Sequence, residues 1–401
     1  MMPRISVAQR RARLGHRHRL AAPASSALEA ARSMVALHGT DPSTVYLSIW
    51  ARTDRYTTGD GVEPVERALY DDRTLLRLLG MRRTVFVVPI ETAPAVQAAC
   101  SRPVAAQQRR LLLSLLAENL TADQVAAGVD GWLAEVEQVA LAALADLGTA
   151  TANELSTVDP RLRTELVLNR GKAYEGRQRV VSRVLLVLAA EGHIVRGRPL
   201  GSWTSTQFRW SPTDRWCQGG LPELPAEAAE TTLAKQWLAT FGPATVADLR
   251  WWTGWTATQT KRALTALNPV EVDLDGTPGI ALADDLADEL APVEPWVALL
   301  PGLDPTPMGW NRRDFYLGAH AELLFDRTGN VSPTVWCDGR IVGGWAQRKT
   351  GEVVFRLLED VGTETTAAIE KSAAALAERL GPVRLTARAR TPAAVERELL
   401  A

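Results

Sequence analysis

The stretch ALHGTDPSTVYLSIWAR, residues 36–52, sets His38, Thr40 and Asp41 between two apolar runs. An imidazole, a hydroxyl and a carboxylate so close together can position a water molecule, take its proton, or steady a cation forming on the atom it attacks. The same letters also make ordinary structure. Pro42 suits the first turn of a helix through STVYLSIWAR, so Asp41 or Thr40 would be its N-cap, and a histidine ending an apolar run can be a satisfied core residue. Both readings stand on the residues alone. The stretch contains no lysine, which argues against an amine nucleophile here.

Arginines are the other group able to do chemistry. Lys172, Arg177, Arg179 and Arg183 lead into or lie on an amphipathic run, and Arg196, Arg198, Trp203, Arg209 and Trp210 fall on two short β-type runs after it. A guanidinium offers phosphate a planar fork of donors, and each phosphate neutralised contributes about -0.9 to the salt slope of binding. Net charge near -1 hides segregation: residues 1–20 hold six arginines and no acid, Arg161 to Trp216 hold eleven Lys or Arg against four acids, and Asp273 to Pro295 hold seven acids and no base. A GC-rich coding sequence would account for arginine usage but not for clustering, so a polyanionic partner is expected. A solvated helix whose arginines pair with local acids is the plainer alternative. Arg82, Arg83, Arg313 and Arg340 are further candidate contacts, although Asp338-Gly339 beside Arg340 is foremost a hairpin turn. Trp237, Trp251, Trp252 and Trp255 read as packing residues between units.

The elements that must position these groups repeat. GTATANEL at 148–155 and GPATVADL at 242–249 share Gly, Ala-Thr, an acid and Leu in register, each after an apolar helix. Glycine caps the first helix and Thr with an acid three residues on opens the next as a capping box. Each unit continues into a second helix (GRQRVVSRVLLVLAAEG; TATQTKRALTALN) and then two β-type runs around a turn. That order is a winged helix, with the hairpin as wing and the helix before it as the recognition helix. A third copy is expected in residues 1–100, with helices near 6–20, 26–37, 43–52 and 72–80 before the strand RTVFVVP. The fold class is therefore α+β: a winged-helix-like unit at 1–100, a second at 101–217, a linker at 218–230, a third at 231–292, and an antiparallel β-barrel with terminal helices at 293–401. In the last region WVALLPG, DFYLG, AELLF, TVWCDGRIVGGWA and GEVVFRLL read as strands, followed by a helix and a last strand and helix.

No apolar run reaches the roughly 18 residues a bilayer needs, and the basic N-terminus lacks a secretory pattern. Cys100, Cys217 and Cys337 lie far apart without a CxxC pair, so neither disulfides nor zinc is suggested. The expectation is a cytoplasmic monomer with no cofactor, no metal and no membrane contact, bound to double-stranded DNA. On such a scaffold the opening cluster has a definite reaction open to it: breaking an N-glycosidic bond needs water held below C1′ and support for an oxocarbenium-like sugar. His38 would manage the water, Thr40 would give it a second hydrogen bond, and Asp41 would orient the imidazole or add negative charge.

With these elements in place the chain resembles, over nearly its whole length, the winged-helix DNA-binding domain family of bacterial DNA glycosylases of the AlkZ and YcaQ type. The resemblance rests on ALHGTDPSTVYLSIWAR, MRRTVFVVP, the Gly-x-Ala-Thr units, LLPGLDPTPMGW and DGRIVGGW. It implies three tandem winged helices and a C-terminal β-barrel around a DNA-sized channel, and metal-free excision of alkylated purines, including bulky or crosslinked adducts. The family's Gln-x-Gln or Gln-x-Asp signature falls on His38-Gly39-Thr40, a departure in which histidine takes the water-positioning place and threonine a hydrogen-bonding one. What the resemblance implies is a monofunctional DNA glycosylase, a DNA-repair hydrolase acting on damaged duplex. The alternative is a non-enzymatic winged-helix DNA-binding protein, either a regulator or a member that binds without catalysis.

Overall fold

The computed structural model describes residues 2–53, 61–126, 128–287, 293–387 and 390–401. The N-terminal segment opens with helices α1 (Val7–Arg17) and α2 (Ala27–Arg32), each started by a serine whose hydroxyl accepts from the backbone three residues on. Strand β1 (Leu37–His38) is followed by helix α3 (Pro42–Trp50), and strands β2 (Leu75–Leu79) and β3 (Val85–Pro89) complete an antiparallel sheet of order β1-β3-β2. The helix expected near 72–80 is thus a strand. LLRLL is buried at every position, so its apolar run carries neither the 3.6 nor the 2.0 period that would separate helix from strand. Register places His38 opposite Phe86 and Phe86 opposite Leu78, whereas Leu37, Val87 and Arg77 align one step along, on the other face.

The second unit contains the long helix Gly128–Leu147, a turn capped by the Thr151–Glu154 box, and the helix Val180–Glu191 ended by left-handed Gly192. Between them lies an unforeseen hairpin of β4 (Glu165–Leu168) and β5 (Gly176–Arg179). The helix expected to carry the basic residues starts at Val180, where the apolar period begins, and Arg177 and Arg179 sit on β5 instead of that helix. The wing-like hairpin follows as β6 (Ile194–Pro199) and β7 (Phe208–Pro212). In the third unit Thr245 and Asp248 form the second capping box, and hairpin β8 (Val270–Asp273) with β9 (Pro278–Ala281) ends it. The expected linker is shorter than 218–230, because the helix Ala226–Phe241 already holds residues 226–230, and Glu230 is buried against Arg262. The end of the third unit, expected at 292, and the acids Asp288 and Glu289 lie outside the described residues.

Strands β10 (Val297–Leu300), β11 (Thr334–Cys337), β12 (Arg340–Gln347) and β13 (Val353–Leu357) form an open four-stranded sheet in chain order. Among the described residues it does not close into the expected barrel. The helix Thr363–Leu380 packs on both β10 and β13, so a helix covers the edges that strand pairing would join. DFYLG and AELLF form short helices, Asp314–Leu317 and Ala321–Leu324, and not strands. No strand occurs over 382–387, and residues 388 and 389, where the last strand would end, are outside the described set; the final helix is Ala394–Leu400.

Two main hydrophobic clusters result. One is built from residues of the second unit, Leu112 to Trp210. The other joins the N-terminal segment, the third unit and the C-terminal sheet, and it includes Trp203 from the β6–β7 connection. That indole packs 4.8 Å from Tyr46 and 5.5 Å from Trp50, centroid to centroid, so the β6–β7 hairpin is docked on α3.

Candidate active site and DNA interface

The turn between β1 and α3 is fixed from both sides. Gly39 N–H donates to the Val85 carbonyl at 2.8 Å, and the Gly39 carbonyl accepts from Arg77 Nη1 at 2.8 Å. A Cβ at residue 39 would lie 3.3 Å from Arg77 Nη1, Phe86 C and Val85 O, so glycine lets the strand and the guanidinium close on the turn. Thr40 is exposed. Asp41 is the N-cap of α3: one carboxylate oxygen accepts from Ser43 N–H at 3.2 Å and Ser43 Oγ at 2.7 Å, with Pro42 next. All of α3 is buried, and its far end is tied by Arg52, which pairs with Asp304 through two bonds of 2.7 and 2.8 Å.

His38 is half-buried and stands edge-on to Phe86 at 5.8 Å. Its Nδ1 is enclosed and has no hydrogen-bond partner among the described residues. Burial first, and the positive charge of Arg82 second, push its pKa down to about 3. The imidazole is therefore uncharged at neutral pH. A base so weak does little as a proton acceptor, but it can hold a water by hydrogen bonding, as a neutral amide would. Asp41, expected to orient the imidazole, has one carboxylate oxygen engaged at the helix start, and the residue lines a separate cleft with Thr44, Gly302 and Trp345.

The arginines divide into two groups. Several expected DNA contacts are neutralised: Arg177 pairs with Glu165 at 3.1 Å, Arg198 with Glu66 and Asp71, Arg209 with Glu154 at 3.2 Å, and Arg340 with Glu359. Trp203, expected on the wing surface, is a core residue, because its ring fills the gap between Tyr46 and Trp50. The others have no carboxylate partner among the described residues. Arg183 feels Arg83, which together with burial lowers its pKa. Arg196 stacks on Phe208 and Trp210, and burial followed by the charge of Arg77 lowers it to about 10. Arg82, although its side chain is exposed, is crowded by protein around its charge and by Arg313, and is lowered to about 10. Lys172 and Arg179 are exposed, Lys172 lying 5.7 Å over the Tyr174 ring.

Arg77 was not foreseen. It is 3 % exposed, holds Gly39, stacks 4.7 Å over Phe208, and leaves Nε and Nη2 without partners among the described residues. The available signal was an arginine inside LLRLL, a charge within an otherwise apolar run. Between the helix Val180–Glu191 and the β6–β7 hairpin runs a cleft of about 540 Å³ lined by Gln178, Ser182, Arg183, Arg196, Phe208 and Trp210 among others. Among the described residues no three His, Cys, Asp or Glu side chains converge on a metal site, and no helix is long and apolar enough to cross a membrane.

By its match to a family model, this mixed helix-and-hairpin chain is of the DNA glycosylase class. Residues 31–379 match the family described as "DNA glycosylase AlkZ-like", and the chain belongs to that family. A curated relative, the interstrand DNA cross-link repair glycosylase of Streptomyces sahachiroi, is 32% identical over 179 residues, which are 42% of this chain and 47% of that protein. The aligned part thus spans about half the length of this relative. The solved structure of Streptomyces sahachiroi DNA glycosylase AlkZ superposes with a TM-score of 0.69 at 21% identity, covering 96% of this chain and 99% of the other, and shares its fold.

Proposed function

We propose that the protein is a monofunctional glycosylase that hydrolyses the N-glycosidic bond of alkylated or bulky-adduct purines in duplex DNA. The observation that carries this is a set of like-charged arginine neighbours, Arg196 with Arg77, Arg183 with Arg83 and Arg313 with Arg82, none with a carboxylate partner among the described residues; of these Arg77 holds the Gly39 carbonyl and Arg82 acts on His38. Such charges repel one another in a free protein, and a polyanion offsets that repulsion. Among the arginines and Lys172 named above, those still unpaired are the phosphate contacts; the hairpins β6–β7 and β8–β9 serve as wings.

In the reaction the C1′–N bond breaks with its electron pair leaving on the base, and water forms the new bond at C1′. A purine alkylated at N7 or N3 carries a positive charge before cleavage, so it departs neutral and needs no acid. His38 and the Thr40 hydroxyl hold the water, and its proton passes to solvent. A neutral imidazole suits this place better than an imidazolium, which would oppose the positive sugar. The protein acts as a cytoplasmic monomer on damaged double-stranded DNA, without a cofactor.

Purified protein incubated with duplex containing an N7- or N3-alkylated purine is expected to release free base and leave an abasic site, and His38→Ala to abolish release while sparing binding. Release from none of a panel of such lesions would defeat the proposal. One observation favours a second reading, a member that binds DNA without catalysis: among the described residues His38 Nδ1 has no hydrogen-bonded group to orient the ring. In that case the same panel gives tight binding and intact bases.

A further inference from the structure

We propose that Arg82, Arg313 and the Trp251 indole form a clamp for a single backbone phosphate of duplex DNA, at the wall of the site that carries His38. The glycosylase reading enters only in placing that phosphate next to the damaged nucleotide. The Arg82 Cζ lies 4.1 Å from the Trp251 ring centroid, and the Arg313 Cζ lies 5.3 Å from the same centroid and 4.3 Å from that of Phe325. Stacking on the rings orients each guanidinium plane and leaves its edge free to donate. Among the described residues neither has a carboxylate partner; Arg313 uses one donor, Nε, on the Trp310 carbonyl at 3.0 Å. Two cations on one indole, neither with a carboxylate partner among the described residues, form a site suited to an anion. Two forks with free edges match the two non-bridging oxygens of a phosphodiester.

The backbone is shaped toward this arrangement against local preference. Arg82 and Arg83 occupy the tip of the β2–β3 hairpin with φ of 52° and 59°, and Thr84 N–H donates to the Met81 carbonyl at 3.0 Å. Both central residues are left-handed, as in the mirror-image turn that ordinarily takes Asn-Gly. A side chain in that region is strained and persists where surrounding structure demands it, often at functional sites. Opposite the turn, Gly254 has φ +74°, and a Cβ there would fall 2.9 Å from Arg82 Cγ, so a glycine leaves room for the arginine stem. The clamp and the reacting side chain share a wall: Phe86 lies 5.8 Å from His38 and 6.5 Å from Trp252, the neighbour of Trp251. Arg82 is also the charge that acts on His38.

The test uses the full chain and duplexes carrying a tetrahydrofuran abasic analogue, with one phosphate at a time replaced by an uncharged methylphosphonate. Affinity is read by fluorescence anisotropy for the wild type, Arg82→Gln and Arg313→Gln. Hydrogen bonds to a charged group are worth about 1.5–3 kcal/mol, so one position near the analogue is expected to weaken the wild type by about tenfold or more. At that position the two variants, already lacking half the clamp, should lose less than about twofold by the same conversion. Arg82→Lys, which keeps the charge and loses the fork, should fall between. Equal losses in wild type and both variants at every position, or wild-type affinity in both variants, would overturn the clamp. Because this readout needs no cleavage, phosphate-specific coupling in a protein that releases no base would sink the catalytic reading and leave the clamp standing.

Discussion

Replacing Asp304 by Asn should unfold the seat of α3. Both Asp304 and Arg52 are 0% exposed. Asp304 Oδ2 accepts from Arg52 Nη1 at 2.8 Å and Ser48 Oγ at 2.7 Å, while Oδ1 accepts from Arg52 Nη2 at 2.7 Å and Thr306 N–H at 2.9 Å. Arg52 Nη2 also donates to Thr306 Oγ1 at 2.7 Å, and that hydroxyl faces His18 Nδ1 at 2.9 Å, whose Nε2 faces the Thr240 carbonyl at 3.2 Å. One carboxylate thus ties α1, α3, the helix Ala226–Phe241 and the loop after β10. The amide keeps the shape but leaves a buried guanidinium without a counter-charge, at a cost of about 3–5 kcal/mol. Urea unfolding followed by tryptophan fluorescence should show the loss as a lower midpoint. Because a buried pair removed whole leaves no orphan charge, Arg52→Met with Asp304→Leu should be more stable than Asp304→Asn alone. A single substitution costing under about 1 kcal/mol, or a double variant no better than the single, would refute the view that this pair is a desolvated, mutually dependent unit.

Three further outcomes follow from the same structure. With His38 at about 3, base release should show no inflection near pH 6.5, and His38→Gln, which keeps an uncharged hydrogen-bonding group, should retain more activity than His38→Ala; a bell limb at 6–7 that vanishes in His38→Gln would contradict this. His18, well below its ordinary value through burial and Arg52, and His38 stay unprotonated in the folded state where unfolded histidines take up protons. Stability contributed by each is therefore full above about pH 6.5 and falls as pH drops toward the folded values, by up to about 1.4 kcal/mol per pH unit per group. Glu137 and Asp285, raised by burial, oppose this slope, so the check is a flattening of urea midpoints against pH between 6.5 and 5 in His18→Gln. Trp203→Ala should cost about 3–5 kcal/mol through the cavity it leaves, measured by the same unfolding; an effect confined to DNA affinity would restore the indole to the binding face.

Features of the chain that depend on neighbours in sequence were legible, and those that depend on folding were not. The capping boxes at Thr151 and Thr245, the Pro42 start of α3 with Asp41 as its cap, and the hairpin turn at Asp338-Gly339 each need only a few adjacent residues. Charge balance is different. Only four acids lie between Arg161 and Trp216, which made the arginines there look free, yet Glu66 and Asp71 reach Arg198 from 132 and 127 residues away. The reverse happened to Arg77, hidden in an apolar run and delivered by strand register to the carbonyl of Gly39 and the edge of Arg196. Asp304 shows the same limit. In LLPGLDPTPMGW nothing local marks its carboxylate as buried, and only the approach of α3 turns it into a buried counter-ion. The electrostatic character of the site is thus a property of which distant residues meet. Local composition marks basic stretches of the chain, but which of their cations stay unpaired, and which come near His38, is settled by the pairings that the fold makes elsewhere.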